Sequence, residues 1–271
     1  YRPHLRLVGG LTPRYLTPAV PPHVPAHVGT TDVDVVLNIS VLVDGGHYDS
    51  LRKQLKNAGF SRHVNAAGKA SAWQWECSAD GRTIVVEFLQ HTDEAAGGRL
   101  AAVEGEQVSA CLIPHVGIVE DWYSETTVMV ELEDGVSQEI IRHADVISFI
   151  VLKSLAYDDR AERKDAADLL HVITYWEKGL DNLVELFAER VHSGKHQASL
   201  NAALAALARR FCSDRTTKGA DKDGPGAYVN FPGMSGSGEQ EMLERRNVSG
   251  MIEYLLTGIQ EKSGNSYWAI P

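Results

Sequence analysis

Leu5-Arg6-Leu7-Val8-Gly9-Gly10 closes one short apolar run, and Thr30-Thr31-Asp32-Val33-Asp34-Val35-Val36-Leu37 begins another. Read together, they predict two strands, a glycine turn and a pair of carboxylates. Successive strand residues point to opposite faces, so Asp32 and Asp34 share one face and can hold a divalent cation between their oxygens, while Val33 and Val35 turn toward a core. Glycines directly after a strand let backbone N–H groups approach a phosphate with no Cβ in the way, and the Leu11–Leu16 stretch then opens a helix toward that anion. A phosphate-binding turn beside a metal-binding pair points to nucleoside triphosphate chemistry. Each motif also has a plainer reading, Gly-Gly as an ordinary turn and Asp-x-Asp as a solvated strand start.

The chain has 271 residues, 44% of them hydrophobic, enough for one large or two ordinary packed domains. No stretch approaches the roughly 20 apolar residues of a membrane span, and no basic-then-apolar leader stands at the N-terminus. A soluble, cytoplasmic protein with no membrane partner is expected. Cys77, Cys111 and Cys212 lack metal-ligand spacing and read as reduced thiols. A formal charge of −10 argues against nonspecific coating of nucleic acid, although a local basic groove on an RNA-binding face is compatible with it.

Between the opening strands, Thr17 to Pro25 is too rich in proline for helix or central strand and reads as a connecting loop. His23 and His27 sit there, near the acidic pair in sequence, and read as solvated loop residues or substrate contacts but not as metal ligands. Leu51 to Ala58 has helical spacing, with Ser50 as cap and Gly59 as stop. Ala70 to Cys77, the Asp80-Gly81 turn signal and Arg82 to Leu89 read as a hairpin. In its second strand Ile84, Val86 and Phe88 share a face, which leaves Glu87 on the other face as a lone acid between Val85 and Leu89. That carboxylate either completes a three-acid metal site with Asp32 and Asp34 or is a rim acid at a strand end. Val128 to Leu132, before the Glu133-Asp134-Gly135 turn signal, reads as a further strand.

From Val146 onward the pattern becomes helical, which predicts a division into residues 1–145 and 146–271. Val146 to Tyr157 is a largely apolar helix with one lysine, Lys153, whose ammonium must reach an anion such as a triphosphate or snorkel to solvent. On that reading Lys153→Met costs little stability. A charged second helix follows, in which Asp165 and Asp168 lie on one face and either hold Lys153 or Arg160 in place or belong to a surface ion-pair cluster. Leu180 to Val191 and Ala198 to Phe211 read as amphipathic helices, and Met242 to Gln260 as a closing helix broken or kinked near Gly250. Residues 213–239, rich in Gly, Ser, Lys and Asp, read as a long mobile loop. Arg209, Arg210, Arg215, Lys218 and Lys222 around it form the best basic patch for RNA.

Gly9-Gly10, Thr30-x-Asp32-x-Asp34, the strand Ile84-Val85-Val86-Glu87-Phe88-Leu89, and Lys153 followed by Arg160 and Lys164-Asp165-Ala166-Ala167-Asp168-Leu169 resemble the AbiEii-type nucleotidyltransferase toxins of the DNA-polymerase-beta-like superfamily. The resemblance spans roughly residues 5 to 173. It implies an α+β fold, a polymerase-beta-like mixed sheet flanked by helices with a helical C-terminal region. It also implies transfer of a nucleotide from an NTP with release of pyrophosphate, dependent on Mg²⁺ with Mn²⁺ as a substitute. The implied acceptor is RNA, the tRNA 3′ end in some members, and the implied partner is a cognate antitoxin protein. The implied catalytic residues are Asp32, Asp34, Glu87, Lys153 and Asp165, with Gly9, Gly10, Thr30, Lys153 and Asp168 binding nucleotide and Asp32, Asp34 and Glu87 holding metal. Two departures stand out: Glu87 where many relatives have Asp, and Val28 where an arginine often precedes the motif threonine. A non-catalytic or antitoxin-like module of the same fold, or transfer to a protein or small molecule, remains the alternative.

Overall fold

The computed structural model describes residues 2–37, 51–79, 81–94, 97–102, 108–132, 135–232 and 238–264. The expected Ser50 cap, Asp80 at its turn, Glu133-Asp134 and positions 233–237 of the expected loop lie outside the described residues. The fold is α+β, with a mixed sheet and helices. Two compact units divide the chain, one of Tyr1–Tyr15 with Val28–Asp145 and the other of Leu16–His27 with Val146–Pro271. Leu16–His27, which a single cut after residue 145 leaves in the first unit, therefore belongs with the second.

In the first unit, β1 (Leu5–Val8), β2 (Asp32–Leu37), β3 (Ser61–Val64), β4 (Ala70–Ala79), β5 (Arg82–Thr92), β6 (Leu100–Ala102), β7 (Ser109–Pro114), β8 (Tyr123–Leu132) and β9 (Gly135–Ala144) form one sheet. Its order is β3-β4-β5-β2-β1-β9-β8, with β7 paired to both β5 and β6. β2 runs parallel to β5, β5 to β7 and β1 to β9, whereas β1 is antiparallel to β2. Leu37, Trp75, Phe88, Val108 and Ala110 form the core on one face, joined by Val35 and Val86 from the strands and by Leu51, Leu55 and Phe60 from a covering segment. Fully burying side chains of this size stabilises by about 1.5–3 kcal/mol each. The covering helix, Leu51–Asn57, ends where Gly59 takes φ +82°, with Phe60 N–H reaching Leu55 C=O at 2.9 Å and Gly59 N–H reaching Lys56 C=O at 3.0 Å. These two bonds satisfy carbonyls that the ending helix leaves open. Alternation along β2 and β5 then directs Asp32, Asp34 and Glu87 to the opposite face.

The second unit is helical, containing α1 (Val146–Arg160), α2 (Arg163–Tyr175), α3 (Gly179–His192), α4 (Gln197–Phe211), α5 (Asp223–Val229) and α6 (Glu239–Ser263). Ile150, Leu169, Leu170, Phe187, Leu204, Ile252 and Leu255 are buried among them. α6 runs through Gly250 without the expected break, and at Gly258 it approaches α3 so closely that a Cβ would sit 2.8 Å from Val184 Cγ1. The expected mobile loop is corrected over its described part. Gly219–Asp221 is a 3₁₀ turn and α5 follows, with Gly219 against Ser249 and Gly224 against the Phe211 ring. These glycines serve close packing, not mobility. Among the described residues no helix is long and apolar enough to cross a membrane.

Candidate functional site

The first unit assembles the glycine turn and the acidic strand. Val8 of β1 pairs with Asp34 of β2, so the chain leaving β1 turns directly over the Asp34 side chain. Gly9, at φ +71°, begins a 3₁₀ turn through Leu11, and Thr12 N–H bonds back to Gly9 C=O at 3.2 Å. A Cβ on Gly9 would lie 1.8 Å from Asp34 Oδ2. Close approach and positive φ both require glycine here. Gly9→Ala is expected to cost roughly 1–3 kcal/mol and to displace the Asp34 carboxylate. Urea unfolding measures it, and a loss below about 0.5 kcal/mol would show that the turn opens freely. Gly10, the second expected contact, is buried within the same turn.

Asp32 opens β2 and is exposed. Its backbone N–H donates to Thr30 Oγ1 at 3.1 Å, and the Thr30 hydroxyl donates to Asp32 Oδ2 at 3.3 Å. Thr30 thus fixes the first carboxylate. Asp34 stands opposite Glu87 in the parallel β2–β5 register, and Gln74 of β4 stands opposite Glu87 on its other side. Gln74 Nε2 donates to Glu87 Oε1 at 2.8 Å. The sheet therefore places Asp32, Asp34 and Glu87 on one face, with Glu87 partnered by a neutral amide. Carboxylate oxygens suit a hard cation such as Mg²⁺. Among the described residues, however, no group of three or more His, Cys, Asp or Glu side chains converges closely enough to hold a metal ion.

The second unit gathers the other predicted residues. Ala161, at φ +53°, reverses the chain between α1 and α2, which brings the acidic start of α2 alongside Lys153 of α1. Lys153 Nζ lies 2.8 Å from Asp165 Oδ1 and 2.7 Å from Asp168 Oδ2, with all three side chains buried. Arg160 clasps Asp165 from the rim, Nε to Oδ2 at 2.6 Å and Nη2 to Oδ1 at 2.8 Å. Asp165 and Asp168, three residues apart, share the helix face that meets Lys153. Burial alone would lower the Lys153 pKa, but Asp168 and Asp165 raise it above its ordinary value. Burial would raise Asp165 and Asp168; hydrogen bonds from Arg160 and His27 respectively, together with the Lys153 charge, hold both below the ordinary carboxylate range. Lys153 has thus found its anions inside its own unit, in line with the reading of Asp165 and Asp168 as residues that hold Lys153 and Arg160 in place and not with a surface cluster.

Sequence reasoning set His27 aside. Its side chain is 7% exposed, and Nε2 lies 2.9 Å from Asp168 Oδ1, the donor on the imidazole when that nitrogen carries the proton. The His171 ring meets it edge-on at 4.9 Å. No local pattern announces this contact, because its partner is 141 positions away. His171 is itself buried, its Nε2 has no hydrogen-bond partner among the described residues, and desolvation pushes its pKa down to about 4. The unfolded chain takes up a proton at His171 near pH 6.5 and the folded one near pH 4, so stability falls as pH drops through that window. Between pH 7.5 and 5.0 the loss from this residue is expected to be about 1–2 kcal/mol, read by urea unfolding at both pH values. A His171→Leu variant should show a flatter dependence; an unchanged slope would assign the proton uptake elsewhere.

The expected basic patch is largely neutralised within the protein. Arg209 and Arg210 both pair with Asp158, Arg210 also reaches Asp223 at 2.7 Å, and Lys222 pairs with Asp214. No family model matches the chain, and neither does any curated protein.

Proposed function

We propose that the protein is a metal-dependent nucleotidyltransferase that moves a nucleotide from an NTP to an acceptor hydroxyl. The observation that carries this reading is the glycine turn pressed onto the acidic strand, since a Cβ at Gly9 would overlap Asp34 Oδ2. A turn with no side chain at Gly9 lets the Asp34 carboxylate lie against its backbone, which supports a site where a phosphate at the turn and a cation at the acids would meet. Asp32 and Asp34, the pair on one face of β2, would hold Mg²⁺, which when bound would supply Lewis-acid charge at the phosphates; Glu87 stands beside the pair but does not complete a three-acid cluster. Thr30 keeps the Asp32 carboxylate oriented. In the transfer, the acceptor oxygen bonds to the α-phosphorus, the bond from that phosphorus to the bridging oxygen breaks, and pyrophosphate leaves. The hydroxyl proton passes to Glu87, the acid nearest the pair in the register. The expectation that Lys153 meets the triphosphate competes with Asp165 and Asp168, which already hold its ammonium.

RNA as acceptor, the tRNA 3′ end in particular, an antitoxin partner and a toxin role rest on the sequence resemblance. One observation favours the non-catalytic alternative, the Gln74–Glu87 hydrogen bond, which satisfies the third acid without a cation. Incubation with each of the four α-labelled NTPs, Mg²⁺ and a pool of RNA, protein or small metabolites separates these readings. Label is expected in the RNA fraction with one NTP. Label in another fraction moves the acceptor, and label in none, across all four NTPs, overturns the transferase reading.

A further inference from the structure

We propose that β8 is a docking edge that takes up an extended segment of a partner protein as one more strand, a segment in which apolar and basic residues alternate along one face. β8 ends the path of the sheet and, among the described residues, pairs with β9 alone. Both strands belong to the first unit. β8 is ten residues long and keeps an unbroken register, from Tyr123 opposite Ala144 to Leu132 opposite Gly135. Its outer edge therefore offers backbone N–H and C=O groups for which no ladder partner stands among the described residues. Sheets ordinarily protect such an edge by keeping it short, by bulging it, or by placing proline or lysine on it. The other edges here are protected in this way: β3, at the far end of the path, has four residues and a register shift, and β6 has three residues. β8 has no bulge against β9 and contains no glycine, proline, lysine or arginine.

The side chains beside the open edge define what fits there. Alternation puts Glu125, Thr127, Met129 and Glu131 on one face of β8, and the register sets Met129 opposite Gln138 and diagonal to Val136 and Ile140 of β9. Met129 is 67% exposed, Val136 62% and Ile140 51%, so an apolar patch borders the edge. Two residues along, Glu131 is exposed and forms no ion pair among the described residues, whereas Glu125 is held by Arg142 Nε at 2.7 Å. A strand laid against β8 thus meets an apolar position and an unpaired carboxylate on one face, which selects an apolar side chain and a cation at the same two-residue spacing. Main-chain bonds would supply affinity and these alternate side chains selectivity. Charge also decides against a second copy of this chain. From Glu120 to Leu132 the sequence carries Glu120, Asp121, Glu125 and Glu131 with no lysine or arginine, and antiparallel self-pairing about Val128 would set Glu125 against Glu131.

The probe is a short acetylated and amidated peptide with threonine at odd positions and valine and lysine alternating at even ones. It is compared with a counterpart carrying glutamate for lysine and with a version N-methylated along its backbone, which keeps the charge but cannot donate to a ladder. Amide hydrogen exchange is followed across the whole chain, and affinity is read by titration. The lysine peptide at saturation is expected to slow exchange by at least about tenfold at the β8 amides that face the open edge, with β3 and β4 unchanged. Glu131→Lys, at an exposed position, should weaken the lysine peptide at least about threefold and make the glutamate peptide the better ligand. β8 amides that do not respond, an N-methylated peptide that binds equally well, or a preference for lysine that survives Glu131→Lys overturns the proposal. Protection of β8 that rises with protein concentration in the absence of peptide also overturns it, since the edge would then belong to a second copy.

Discussion

Lys153→Met is expected to lower the unfolding free energy by about 3–5 kcal/mol, the usual cost of stripping one partner from a buried charge cluster. This reverses the expectation from sequence, in which an apolar helix around the lysine stem made the substitution mild. The structure gives the reason: both carboxylates facing Nζ are nearly inaccessible, Asp165 at 1% and Asp168 at 2% exposure. Without the ammonium, Asp165 keeps Arg160 and Asp168 keeps its hydrogen bond with His27, but each loses the buried lysine charge it faces. Urea unfolding checks the figure. A loss under about 1 kcal/mol would mean that the cluster relaxes or admits water. The double variant Lys153→Met/Asp168→Asn should recover part of the loss, because the same substitution leaves one fewer buried charge unpaired. Acid should act similarly: both folded-state carboxyl pKa values are lowered, so their contribution is complete above about pH 4–5 and disappears as pH falls through the lowered values.

Asp34→Ala should reduce nucleotide transfer by about 10³-fold or more while leaving a folded protein, since it removes charge aimed at the reacting phosphates. Asp34 sits beside the glycine turn and in register with Glu87, so among the three acids it touches the most of the proposed site. Asp32→Ala should be comparable. Glu87→Ala should harm turnover nearly as much but NTP binding less, because Glu87 is assigned to the acceptor proton. Labelled-nucleotide transfer and equilibrium NTP binding separate the two effects. Unaltered turnover in Asp34→Ala sinks the site; equal loss of binding in Glu87→Ala would make that residue purely structural.

Local patterns made the sheet legible near the acids. Period-two alternation placed Asp32 with Asp34 and Glu87 opposite Val86 and Phe88, and the Ala70–Arg82 region read as the hairpin it is. Adjacency of β2 and β5 was not legible, because parallel pairing across more than fifty residues leaves no local trace. β3, β6, β7 and β9 were missed: β3 and β6 are short, β7 (Ser109-Ala110-Cys111-Leu112-Ile113-Pro114) shows no period-two alternation, and β9 begins at Gly135, read only as part of a turn. The pairing of Arg209 and Arg210 with Asp158 was not legible either, because Asp158 lies some fifty residues upstream of them. Residues 213–232 looked mobile because glycine signals freedom and tight packing alike, and only the Ser249 and Phe211 side chains decide between them.

Because the helical unit is drawn from two separate pieces of chain, its completion has an order in time. On a ribosome adding roughly 5–20 residues per second, His27 emerges on the order of ten seconds before Asp168 exists. During that wait the strands that follow His27 are being made and can begin to pair, while the 16–27 segment has no helices to join. Its prolines keep it from helix and from sheet ladders in the meantime. The bond from His27 to Asp168 is accordingly among the late events of biogenesis, formed only after α2 has been made, and a chain halted before α2 would leave His27 without that partner.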